Sequence, residues 1–179
     1  FYGIDHCITS LEIDHDYPPL SKDYDYLVLF GKVDSGAVIK NLGLGAVPFL
    51  GGGIPSIDIT IYTGQTPSCI GALAGYNSGS IQNCYAAARV LAGENAEHVG
   101  GLVGYNQHGE ISKSYIFGEV AAGPAGSYIG GLVGENDDSP LSYCYCCADV
   151  DGQGSSAGNS EYIGGLAGAN KWSVVKRCF

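Results

Sequence analysis

The chain has 179 residues, with 18 acidic side chains against 8 basic ones, a formal net charge of −10, 29 Gly, 7 Cys and no Met. So few Lys and Arg exclude a nucleic-acid or anionic-membrane surface, and no apolar run approaches the roughly 20 residues a spanning helix needs, so no membrane insertion is expected. Hydrophobic residues make up 45% and charged ones 15%, the balance of a folded domain rather than a disordered Gly-rich tract. The chain opens on Phe1 with no initiator Met and reads as a processed or excised piece.

In chain order, Phe1–Ile13 reads as a strand pair, Leu29–Val33 as a Gly-containing strand and Val38–Leu44 as a second one. The span Val47–Cys69 is irregular, with an extra strand expected around Ile57–Tyr62, and the Asp-His pairs at 5–6 and 14–15 read as solvated loop. From Ile70 the pattern becomes regular. Ile70-Gly-Ala-Leu-Ala-Gly-Tyr-Asn77, Val99-Gly-Gly-Leu-Val-Gly-Tyr-Asn106, Ile129-Gly-Gly-Leu-Val-Gly-Glu-Asn136 and Ile163-Gly-Gly-Leu-Ala-Gly-Ala-Asn170 recur at steps of 29, 30 and 34 residues. Each is followed by a second predicted strand: Ile81–Val90, Ile111–Val120, Leu141–Val150, and Val174–Phe179, which stops partway.

Gly pairs would each cost about 1 kcal/mol in a helix interior, and the apolar residues alternate with period two, so these segments are strands. In the second strand Cys84, Ala86, Ala88 and Val90 share the inward parity with their counterparts one repeat on, while Tyr85, Arg89 and theirs point out. A strand unit that cannot bury its own inner face must stack on its neighbours. The expectation is all-β: a parallel β-solenoid (β-helix) of about six coils, roughly 30 residues each, forming one domain over 1–179. Residues 1–69 are its irregular N-terminal coils and 70–179 its regular repeats.

The [IV]-G-G-L-[VA]-G strand, the Asn that follows it and the Asn-Cys-Tyr-Ala second strand resemble the GLUG-motif repeat, best from Ile70 to Phe179. Ala72 in place of the second Gly, and Ser114 in place of Cys, depart from the pattern. The resemblance implies a secreted or cell-surface bacterial or archaeal protein, either adhesin-like or a repeat region of a surface peptidase that cleaves immunoglobulin A. No His-Glu-x-x-His metallopeptidase signature is present among His6, His15, His98 and His108, so no catalytic residue carries over.

Four sets of residues stand out by register. Asn77, Asn106, Asn136 and Asn170 suit a structural amide ladder. Tyr85, Tyr115, Tyr145 and Phe179, with Phe117 beside them, form an outward aromatic column able to meet a glycan or a host or neighbouring surface protein. Cys84, Cys144 and Cys178, with Ser114 in the gap, fill one small buried slot, and Cys144–Cys178 is the best-placed pair for a disulfide. Arg89, Glu119 and Asp149 align as a charge ladder, or as the carboxylates of a polysaccharide-active β-helix enzyme. The Cys144–Cys147 cluster lacks the spacing of a metal site, and no phosphate loop or dinucleotide fingerprint occurs, so neither metal nor cofactor is expected. The last predicted strand stops mid-repeat without a cap, as further coils, or end-to-end stacking of copies into a filament, would require.

Overall fold

The structure, a computed structural model, describes residues 6–8, 12–15, 28–45, 57–61, 68–152 and 161–179. Every regular element among them is a strand. Six precede the regular coils: β1 (His6–Ile8), β2 (Glu12–His15), β3 (Phe30–Val33), β4 (Val38–Lys40), β5 (Leu42–Leu44) and β6 (Ile57–Ile61). The first complete coil is β7 (Ser68–Ile70), β8 (Ala74–Asn77), β9 (Ser80–Gln82) and β10 (Tyr85–Ala92). The second is β11 (Glu97–Gly100), β12 (Val103–Gln107), β13 (Glu110–Ser112) and β14 (Tyr115–Ala122). The third is β15 (Ser127–Gly130), β16 (Val133–Asp137), β17 (Leu141–Ser142) and β18 (Tyr145–Gly152). A partial coil follows: β19 (Glu161–Gly164), β20 (Ala167–Lys171) and β21 (Val175–Lys176).

Corresponding strands of successive coils pair in parallel, so the coils stack as four sheets. Sheet A carries the long strands β10, β14 and β18, continued by β5 and β1 and, further along β10, by β6 and β2. Sheet B runs β7-β11-β15-β19, sheet C β3-β8-β12-β16-β20 and sheet D β4-β9-β13-β17-β21. The register confirms the repeat: Tyr85 lies opposite Tyr115 and Tyr115 opposite Tyr145, while Asn77, Asn106, Asn136 and Asn170 follow one another in sheet C.

The parallel β-solenoid is therefore present, with two corrections. Among the described residues three coils are complete and two are partial, fewer than the six expected; beyond these only β1, β2 and β6 extend sheet A there. Each predicted second strand is also two strands, because Asn83, Lys113 and Tyr143 adopt left-handed backbone (φ 52, 50 and 56°) and turn the chain between sheets D and A. Ile57–Ile61 is the extra strand expected in the irregular span, whereas Asp14 and His15 lie in β2 rather than in a loop. Residues 1–5, 9–11, 47–56 and 62–67 of these spans lie outside the described residues.

The core is a set of ladders, one residue per coil. Leu73, Leu102 and Leu132 form one, Ile81, Ile111 and Leu141 another, and Ile70, Val99 and Ile129 a third, all fully buried. At ~25 cal/mol per Å² of apolar surface, such ladders are the main favourable term holding the coils together. The first Gly of each repeat is fixed by geometry: a Cβ at Gly71, Gly100, Gly130 or Gly164 would run into the carbonyl oxygen three residues on, where the chain folds back. The second position lacks that collision in the first coil, where Ala72 occupies it, fully buried.

Candidate functional site

The Asn ladder is continuous. Nδ2 of Asn77 donates to Oδ1 of Asn106 (2.7 Å), Asn106 to Asn136 (2.7 Å) and Asn136 to Asn170 (2.8 Å). The second amide hydrogen of Asn106, Asn136 and Asn170 goes to the carbonyl of Gly109, Ser139 and Ser173. Asn77, Asn106 and Asn136 are fully buried, so the ladder holds the turn from sheet C to sheet D and presents nothing to a ligand.

The aromatic column stands on the outer face of sheet A, and its inner rings are covered. Its rings stack nearly parallel, Tyr85 on Tyr115 at 5.2 Å, Tyr115 on Tyr145 at 4.6 Å and Tyr145 on Phe179 at 5.6 Å, with Phe117 edge-on to Tyr115 and Tyr145. Tyr85 is 4% exposed, Tyr115 7% and Phe179 83%. The cover comes in part from outside the regular repeat: the Tyr85 hydroxyl donates to the Gly45 carbonyl (3.1 Å), and Gly43 leaves the space its ring fills, since a Cβ there would strike it. Burial pushes the Tyr115 phenol up to about 12. The faces of the inner rings are spent on one another, so the column offers edges rather than faces to a sugar.

Cys144 and Cys178 are both free thiols. The Cys144 thiol turns to the carbonyls of Ile111 and Ser142, and the Cys178 sulfur accepts from the Cys144 backbone N–H at 3.4 Å, so the slot holds packed thiols. Ser114 serves the same slot, with Oγ accepting from Cys84 N–H and donating to the Ser112 carbonyl. In the charged column Arg89 and Glu119 close into an ion pair at 3.1 Å. Among the described residues no cluster of three or more His, Cys, Asp or Glu is arranged to hold a metal ion.

What the sequence reading missed lies one residue before that Cys slot. Asn41, Asn83, Lys113, Tyr143 and Arg177 occupy equivalent corners between sheets D and A, all with φ between 50 and 56°. Asn is at home in left-handed backbone; Lys, Tyr and Arg each cost about 1 kcal/mol there. Their side chains, with those of Lys40 and Gln82, open into a groove of about 720 Å³ bounded on the sheet A side by Tyr145 and Phe179. The groove is lined by Lys40, Lys113 and Arg177 and by no acid, in a chain with 18 acids and 8 bases.

Of the four other described cations, Lys176 stands exposed in β21 and three form ion pairs. Lys32 pairs with Asp34, Arg89 with Glu119 and Lys171 with Glu135. No ion pair holds Lys40 or Lys113 among the described residues, and Arg177 lies over the Tyr143 ring and donates to its hydroxyl. The signal for this column was the 30-residue register itself, which aligns Asn83, Lys113 and Tyr143, with Arg177 after the longer last repeat.

A second cluster sits between sheets B and C. Glu135, 4% exposed, meets Lys171 Nζ at 2.7 Å and His98 Nε2 at 3.1 Å, with His98 stacked between Tyr105 and Tyr128. Burial outweighs Glu135 and pulls His98 below the usual imidazole range. His98 Nδ1 is buried with no partner, which fits a neutral ring that donates from Nε2 to Glu135 and leaves Nδ1 a bare acceptor. Lys171, held by Glu135, is raised.

The sequence model of the GLUG motif matches residues 66–91 and 95–121. These two stretches are tandem GLUG repeats. Each spans one complete coil of the solenoid, from sheet B round to sheet A, and the coil at 127–152 continues the GLUG register without a break. No curated protein and no solved structure matches the chain.

Proposed function

We propose that this GLUG-repeat solenoid is a non-catalytic binding module of a secreted or cell-surface protein, which holds an extended partner along the corner between sheets D and A in adhesin-like fashion. The observation that carries the reading is the acid-free groove with three cations on a chain of net charge −10. A groove that runs across the coils suits a linear ligand, because every coil contributes one side chain at the same corner. The charged column on sheet A supports a non-catalytic role, since Glu119 is committed to Arg89 and forms no free carboxylate pair with Asp149. The resemblance to adhesin-like repeats supports the cellular setting.

The test is a screen of the purified chain against glycan and surface-protein arrays. The expected result is a ligand whose retention is lost when Lys40, Lys113 and Arg177 are replaced together; turnover of a retained polysaccharide would point to an enzyme instead.

A further inference from the structure

We propose that the groove takes an acidic polysaccharide bearing one anionic group on every second sugar. This rests on the binding-module reading and adds the chemistry of the ligand.

Sheet D numbers the rungs of the groove. Lys40 lies opposite Gln82, Gln82 opposite Ser112, Ser112 opposite Ser142 and Ser142 opposite Lys176. The corner itself therefore runs Asn41, Asn83, Lys113, Tyr143 and Arg177 from the first rung to the fifth, and Lys40 stands on the first rung one residue before the corner. Among the side chains that line the groove, cations come from the first, third and fifth rungs and none from the second or fourth. Rungs are about 4.8 Å apart, which sets successive cations about 9.6 Å apart along the rod.

That interval discriminates between anionic polymers. An extended peptide advances about 3.3 Å per residue and places same-face carboxylates at about 6.6 Å, out of step with the cations. A nucleic-acid strand in a duplex carries a phosphate every ~3.4 Å and needs a denser basic surface than three side chains supply. A pyranose in an extended glycan advances by close to one rung, so anions on alternate sugars meet alternate rungs. The intervening neutral sugars then face Asn83 and Tyr143, whose amide and hydroxyl suit sugar hydroxyls. Lys40 and Lys113 have no acid to displace among the described residues, so pairing with a ligand carboxylate or sulfate breaks no ion pair within the protein.

The experiment uses the whole chain, immobilised, with hyaluronan as the alternating acidic probe. Polygalacturonate carries a charge on every sugar, dextran none, and polyglutamate tests a peptide. The variant is Lys113→Asn, which removes one charge but installs the residue that Asn41 and Asn83 already place at this corner (φ 55 and 52°), so the fold is retained. Hyaluronan should bind most tightly, with dextran unretained and the other two weaker by about tenfold, a difference of about 1.4 kcal/mol. Lys113→Asn should weaken hyaluronan by a similar factor and lower the salt slope of binding by about one.

Equal retention of dextran, preference for polyglutamate, or a Lys113→Asn variant with unchanged affinity and salt slope would each overturn the proposal. Capture of some other array ligand that ignores Lys113→Asn would overturn the ligand assignment and leave a binding module elsewhere on the surface. A chain that retains nothing on any array overturns both readings.

Discussion

Two columns of the same solenoid, one inside the turn from sheet C to sheet D and one on the corner between sheets D and A, obey opposite rules. The inner column is Asn in every coil from Asn77 to Asn170, because each amide must both donate to the next Asn and accept from the last. The outer column reads Asn41, Asn83, Lys113, Tyr143, Arg177 under nearly constant backbone geometry. Identity along a ladder therefore marks mutual dependence within the fold. Variation at fixed geometry marks positions where the fold sets the backbone and leaves the choice of side chain open.

The sharpest way to break this contrast is to substitute one member of each column. Asn106→Ala strands the Asn77 amide and the Asn136 oxygen in the interior, and at ~1–3 kcal/mol per buried unpaired group it should cost about 3–5 kcal/mol in urea unfolding. Lys113→Asn should leave stability within about 0.5 kcal/mol or raise it, since an exposed Lys in left-handed backbone gives way to a residue that tolerates it. A loss under 1 kcal/mol at Asn106, or a loss as large at Lys113, would end the distinction.

The Glu135 cluster lies between these extremes. Lys171→Ala removes the closer partner of a buried carboxylate, but Lys171 is itself half in solvent, so the cost should be about 1–2 kcal/mol. His98 adds a pH dependence whose sign follows from its depressed folded pKa: the unfolded chain takes up the proton first. Stability should be full above about 6.5 and decline as the pH falls below it, until the folded ring protonates too. Unfolding midpoints measured from pH 8 down to 5 check this, and His98→Gln should flatten the slope.

The solenoid and its Asn ladder were legible because the interior repeats itself by residue type. The number of strands per coil was not, because the corner between sheets D and A uses Lys113 and Tyr143, which carry no turn signal, and only Asn83 announces left-handed backbone. The aromatic column was placed on the correct face, but what covers it was not legible, since the groups that receive Tyr85, Gly43 and Gly45, lie outside the regular repeats. The groove escaped notice for the reason that makes it interesting: its residues share a register but not an identity. The orientation of the Cys slot was not legible either: register brings Cys144 and Cys178 to adjacent rungs, and their thiols turn to separate carbonyls.

That last point carries the smallest expected effect and a direct readout. Cys84 and Cys144 are fully buried, and burial pushes the Cys144 thiol up to about 12, whereas Cys147 in the same strand faces solvent. Thiolate is the reactive form, so the native chain near neutral pH should alkylate at Cys147 and leave Cys84 and Cys144 untouched until denaturant is added. Peptide mapping after a timed iodoacetamide pulse, with and without urea, reads this. Because the buried thiols ionise only above their unfolded value of 9.0, they should cost stability only as the pH rises past it. Mapping that finds a Cys144–Cys178 bridge instead would show the last rungs drawn together by more than ladder packing. It would also lock Arg177 against Tyr143 and fix one end of the groove.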